Sequence, residues 1–174
     1  MTPPVLETPR LRLRAHRVED YPASCAMWAS PDVTRYIGGK PSSPQQTWQR
    51  LLSYAGHWQL LDFGYWVVEE RAGGRFVGEL GFANYERDIV ASMRGVPELG
   101  WALVPEVRGR GYATEALGAT IAWGDVRFPD PRTVCLISPQ NAPSIRVAQK
   151  VGFAEFARTE LGGQTVLLFE RIRA

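Results

Sequence analysis

The stretch from Glu98 to Ser138 constrains the fold more than any other part of the chain. A strand-like run, Glu98–Val104, leads into a turn with two glycines, a helical stretch from about Gly111 to Val126, and a second strand-like run, Arg132–Ser138. Ala113, Ala116, Leu117, Thr120 and Ile121 fall on one stripe of the helix, so it has a face to bury. Strand, helix and strand in succession make a crossover, which is right-handed when the two strands are parallel. A chain built around such a unit is a mixed α/β protein.

The flanking sequence supplies further layers. Residues 10–15, Arg-Leu-Arg-Leu-Arg-Ala, alternate as a half-buried strand does. A short helix is expected from Val18 to about Ala29, closed by Ser30-Pro31, with Gly38-Gly39 and Pro41 breaking the chain beyond it. Ser43-Pro44-Gln45-Gln46 reads as a capping box with proline at the first helical position, opening a helix that carries Trp48, Leu51, Leu52, Ala55 and Trp58. Tyr65–Arg71 and Arg75–Tyr85 form a hairpin about Ala72-Gly73-Gly74, and Arg87–Val96 is a polar loop. Asn141 caps a short helix, Ala142–Val151, which Gly152 ends in the left-handed conformation. Two last strands, Phe153–Glu160 and Gln164–Ile172, flank Gly162-Gly163. The expected order is β-α-α-β-β-β-α-β-α-β-β in one domain, residues 1–174, a length able to enclose a single core.

Composition excludes several functions. Twenty Lys and Arg against 18 Asp and Glu leave a formal charge of +2, without the basic footprint of a nucleic-acid binder. Cys25 and Cys135 lack metal-ligand spacing, and His16 and His57 are isolated, so no metal is expected. No run approaches the roughly 20 apolar residues of a membrane span. Met1-Thr2-Pro3-Pro4 does not read as a secretory leader, and a cytoplasmic location is expected.

The chemistry concentrates in Val104-Pro105-Glu106-Val107-Arg108-Gly109-Arg110-Gly111-Tyr112-Ala113-Thr114-Glu115. Here a strand passes through a glycine turn into a helix N-terminus, whose unpaired N–H groups and dipole favour an anion such as phosphate. A Walker A loop needs Gly-Lys-Ser/Thr, and this turn has no lysine. A Rossmann turn needs a third glycine where Thr114 stands, and an acidic residue after the next strand that Arg132–Ser138 does not supply. Arg108-Gly109-Arg110-Gly111-Tyr112-Ala113 does match the Arg/Gln-x-x-Gly-x-Gly/Ala pattern.

Asn141-Ala142-Pro143-Ser144 and Lys150-Val151-Gly152-Phe153 follow the crossover in order. With them the chain resembles the GNAT superfamily of acetyl-CoA-dependent N-acetyltransferases, and most closely its ribosomal-protein N-terminal acetyltransferase branch. Glu7-Thr8-Pro9-Arg10-Leu11-Arg12-Leu13-Arg14, Gly78-Glu79-Leu80-Gly81-Phe82 and Glu98-Leu99-Gly100-Trp101 look like that branch's first, third and fourth strands. The resemblance implies the GNAT fold, a mixed, mostly antiparallel sheet with splayed central parallel strands flanked by helices. It also implies acetyl transfer from acetyl-CoA to a primary amine, on a protein N-terminus or a small molecule, by direct attack in a ternary complex.

By the same resemblance, Arg108, Gly109, Arg110, Gly111, Tyr112, Ala113 and Thr114 hold the coenzyme A pyrophosphate through backbone N–H groups. Trp101 and Leu103 lie on the strand that pairs with pantetheine, and Asn141 contacts the same arm. Ala148 stands where many members place a tyrosine acid, so Ser144 takes that role by likeness to the branch. Glu98 is the first candidate for the base, with Glu160 and water open beside it. Glu79 reads as a structural strand residue. An α-amine, with a pKa of about 7.7–8.0 against about 10.4 for lysine, asks less of a base. Trp28, Trp48, Trp58, Trp66, Tyr36 and Tyr65 are candidates for the acceptor wall or for core. A coenzyme A-binding module without catalysis, a small-molecule acetyltransferase of the antibiotic-modifying type and an unrelated nucleotide binder are the rival readings. The family includes monomers and dimers, so a homodimer stays open.

Overall fold

The computed structural model describes residues 2–89 and 93–173; Met1, Val90, Ala91, Ser92 and Ala174 lie outside, three of them in the loop expected between Arg87 and Val96. The chain opens with β1 (Leu6–Glu7), β2 (Leu11–Arg14), a 3₁₀ turn at Val18–Asp20, and helices α1 (Tyr21–Trp28), α2 (Pro31–Thr34) and α3 (Pro44–Leu61). Strands β3 (Tyr65–Glu70), β4 (Phe76–Ala83) and β5 (Glu98–Leu103) precede α4 (Tyr112–Arg127). Then come β6 (Arg132–Ile137), α5 (Ala142–Lys150), β7 (Ala154–Leu161) and β8 (Gln164–Ile172). Among the described residues the strands form one mixed sheet, β1-β2-β3-β4-β5-β6-β8-β7, antiparallel except where β5 meets β6.

Where local chemistry is strong, expectation and structure coincide. Ser43 Oγ accepts the Gln46 N–H at 3.2 Å, Gln46 Oε1 accepts the Ser43 N–H at 2.8 Å, and α3 starts at Pro44. The departures come early in the chain. The helix expected from Val18 is split, because its first turn is a 3₁₀ turn held by Asp20, which accepts the Arg17 N–H at 2.8 Å and pairs with Arg14 at 2.7 Å. Ser30-Pro31, expected to stop that helix, also starts the one-turn α2, since proline suits a first helical position as well as it ends a preceding helix.

The sheet register decides which side chains meet. β4 and β5 pair Leu80 with Trp101 and Phe82 with Leu99, and these face α4, where Ala116, Leu117 and Ile121 join one core. Trp58, Trp66 and Trp123 close its end with edge-to-face contacts at centroid separations of 4.8, 5.1 and 5.5 Å. On the opposite face, Glu79 pairs with Ala102, and Met27, Trp28 and Val33 of α1 and α2 pack over Ala102. No described helix is long and apolar enough to cross a membrane.

Candidate active site

β5 and β6 touch at one bridge, Glu98 with Val134, where the Val134 N–H reaches the Pro97 carbonyl at 3.1 Å. Beyond it β6 is held by β8 and β5 by β4, so the two parallel strands part. The gap opens into a cleft of about 760 Å³ whose walls include Glu98–Ala102 from β5, Leu136 and Ile137 at the end of β6, Ser138, Asn141, Ser144 and the tip of the β7–β8 hairpin. An extended ligand arm can pair with the free edge of β5 there, as an added strand does.

β5 then runs to the glycine turn. Gly109 and Gly111 have φ of +75° and +76°, in the left-handed region that an L side chain enters only with strain. Gly111 is the N-cap of α4 and offers no side chain, so the first N–H groups of the helix point outward uncapped. A Cβ built at Gly109 meets nothing within 4 Å, and the approach is open. Arg108 is anchored to the Asp32 carbonyl of α2 at 2.7 Å, which keeps its cation beside the turn. Arg10 ties the turn to β2: its Nη1 donates to the Arg110 carbonyl at 2.9 Å and its Nε to Glu115 at 2.6 Å. Glu115 would repel an anion if unpaired. Burial pushes its carboxyl up, but hydrogen bonds from Thr8 and Arg10 outweigh this and hold it below the usual range, its charge matched by Arg10.

The expected coenzyme residues divide by position. Tyr112 turns its ring into the core under Arg10, with its hydroxyl donating to Glu70 at 2.9 Å, so its backbone alone faces the turn. Trp101 and Leu103 both pack against the core, and Trp101 also lines the cleft. Asn141 Oδ1 accepts the Ser144 N–H at 3.2 Å, capping α5, and both residues line the cleft. Ala148 is fully buried.

Of the candidate bases, Glu98 lines the cleft with its side chain 13% exposed, and both oxygens accept from Arg87, at 2.8 and 3.0 Å. Each carboxylate oxygen keeps a lone pair for a further donor. Glu160 is exposed on β7 and accepts from Thr165 at 2.7 Å, outside the cleft lining. Burial, and then the charge of Glu98, push the Cys135 thiol far above the usual range, so it is no nucleophile.

The aromatic candidates split in the same way. Trp28, Tyr36 and Tyr65 line the cleft; Trp58 and Trp66 are core; Trp48 packs edge-on against Tyr21. Helical spacing does not separate these fates, because the cleft wall is itself a packed face. Arg50, Tyr54, Tyr85 and Arg87 also line the cleft and were missed. Interleaved Tyr85 and Arg87 in a polar loop were the available signal for two of them.

Beneath that wall Glu79 is buried, accepting from Ser24 Oγ and from Trp28 Nε1 at 2.8 Å, with His16 Nε2 3.6 Å away. Burial alone would raise the Glu79 carboxyl; the attraction of His16 and the Ser24 and Trp28 donors outweigh it and hold it low. A carboxyl with a depressed folded-state pKa stabilises above its unfolded value of about 4.3, and that contribution is lost as pH falls through the folded value. Glu79→Gln is therefore expected to flatten the loss of stability between about pH 5 and pH 3, read from urea midpoints. Equal acid slopes in the two proteins would refute the assignment.

A mixed sheet whose one parallel pair splays at its centre, with a glycine turn leading into the helix behind it, is the GNAT fold. Residues 10–154 match the Acetyltransferase (GNAT) domain, and the chain belongs to this family of N-acetyltransferases, whose acyl donor is acetyl-CoA. A protein of Bordetella pertussis described as a GnaT-family acetyltransferase superposes with a TM-score of 0.87 at 31% identity, covering 97% of this chain and 99% of its own. The N-acetyltransferase YoaA of Bacillus subtilis (strain 168), itself uncharacterized, is 28% identical over 151 residues, 86% of this chain and 82% of its own length. A ribosomal L7/L12 alpha-N-protein acetyltransferase in complex with coenzyme A shares the fold, with a TM-score of 0.80 at 17% identity over 98% of each chain.

Proposed function

We propose that the protein moves the acetyl group of acetyl-CoA to a primary amine by direct attack in a ternary complex. The acceptor is a protein N-terminal α-amine, as in the ribosomal-protein branch, or a small amine. The observation that carries this reading is the opening between β5 and β6 past the Glu98–Val134 bridge, which joins a free strand edge to the uncapped start of α4. The backbone N–H groups from Gly109 to Thr114, with Arg108 and Arg110, would hold the pyrophosphate; Trp101 and Asn141 would line the pantetheine arm. When bound, acetyl-CoA supplies the activated acetyl thioester.

The chain's own groups then have two tasks. Glu98, oriented by Arg87, uses its remaining lone pairs to draw the ammonium and take its proton, directly or through water. Ser144, in the first turn of α5, offers its hydroxyl to the departing thiolate. The raised Cys135 thiol argues against an acyl-cysteine intermediate.

The test is acetyl transfer to an amine panel, followed by calorimetry of coenzyme A binding. Ser144→Ala is expected to lower kcat about 10²-fold while leaving coenzyme A affinity within about twofold, the size of a positioned acid. Glu98→Gln is expected to lower kcat/KM for the amine by a similar factor. Wild-type rates in both variants would overturn these roles. Coenzyme A binding without transfer to any amine would favour the non-catalytic module.

A further inference from the structure

The cleft holds a positive charge that no described carboxylate pairs with. Among the described residues the cleft's charged side chains are Arg50, Arg87 and Glu98. Arg87 and Glu98 neutralise one another through two hydrogen bonds. Arg50, half-buried on α3, has no carboxylate within ion-pair distance among the described residues; its polar contact there is a long 3.4 Å bond to Ser42 Oγ. Its guanidinium instead lies over the Trp28 ring, with Cζ 3.8 Å from the centroid. Trp28 is fixed in turn, because Nε1 donates to buried Glu79 at 2.8 Å. The cation is thus held by its contact with the ring, which leaves most of its donor fork free.

The coenzyme's phosphates do not need this charge. Arg50 lies over Trp28, which packs against Ala102, and lines the cleft with Tyr54, Tyr85 and Gly100, whereas the glycine turn that follows β5 carries cations of its own, Arg108 and Arg110.

We propose that Arg50 is the docking point for a carboxylate carried by the acceptor, so that the preferred substrate is a primary amine bearing a nearby carboxylate. The inference rests on the proposed acetyltransferase reading and narrows its acceptor. One free arginine in a cleft otherwise neutral calls for a monoanion, and the planar fork matches a carboxylate in two-point contact. Gln46, Gln49 and Ser53 line the same wall and can donate to it. Such an acceptor comes either as a free amino acid or as a peptide N-terminus with an acidic residue close behind.

The experiment has two arms and one control. Free amino acids are compared with their amides, and N-terminal peptides carrying Asp or Glu at the second position with those carrying Asn or Gln; alkylamines and phenethylamine are the uncharged control. In at least one arm the carboxylate partner is expected to exceed its neutral twin by about tenfold or more in kcat/KM, and the arm identifies the source. Arg50→Gln should abolish that preference through KM while leaving rates with the neutral twins and coenzyme A affinity near wild type; Arg50→Lys should keep part of it. Equal rates for twins in both arms, or an equal loss for both twins in Arg50→Gln, would overturn the inference and leave the acetyltransferase standing. Failure to acetylate any amine would overturn both.

Discussion

Gly111→Glu is expected to raise the Kd for coenzyme A at least about a hundredfold by calorimetry, with a folded protein of near-normal secondary structure. Two effects combine. At φ +76° any L residue is strained, by about 1–2 kcal/mol. Glutamate also sets a negative charge against the uncapped N–H groups where an anion should bind, competing with it for those donors. Gly111→Ala separates the two, because its Cβ would meet Arg10 Nη2 at an ordinary 3.5 Å and carries the strain alone. Alanine should cost about tenfold in affinity and glutamate far more. Wild-type affinity in the glutamate variant would remove the turn from the binding site.

The second large effect concerns the cleft floor. Tyr65, Gly81 and Gly100 form a row across β3, β4 and β5, and Tyr65 reaches along it. A Cβ built on Gly100 falls on the Tyr65 hydroxyl oxygen, with Cζ 3.2 Å away. Tyr65 has little room to yield, being stacked on Tyr54 at 4.4 Å with an interplanar angle of 5°. Gly100→Ala should therefore destabilise by about 3 kcal/mol, the upper range for overpacking, lowering Tm by roughly 6–12 °C. Tyr65→Phe removes the clashing oxygen. The double variant should recover more than half of the loss, a coupling of at least about 1.5 kcal/mol. Additive losses would mean that the hydroxyl does not occupy the space over Gly100.

Tyr65 shows why the site was less legible than the fold. Gly100 and Tyr65 both stood out in the sequence, one within a strand motif and the other among aromatic candidates, but nothing local joins residues 35 positions apart. The same holds for Glu98. As the acid on the central strand it was a reasonable base, yet its partner Arg87 lies 11 residues back in a loop with no regular pattern. Trp28, Trp58 and Trp66 looked alike by composition and spacing. The fold made Trp28 a platform for Arg50 and enclosed the other two in the core.

By itself, the sequence determined what depends on neighbours within a turn or two: the capping box at Ser43, the alternation of β2, the glycine turn into α4 and the crossover order. These follow from φ/ψ preferences and from the 2- and 3.6-residue periods of the side chains. The three-dimensional arrangement alone sets where β5 and β6 part, that Glu98 is neutralised by Arg87, and that Arg50 lies over Trp28 in the cleft wall. Those are balances of burial and charge between distant segments. Ser24 and Glu79 lie 55 residues apart, and Arg10 and Glu115 lie 105 apart, so their energies exist only once the sheet and helices have brought them together.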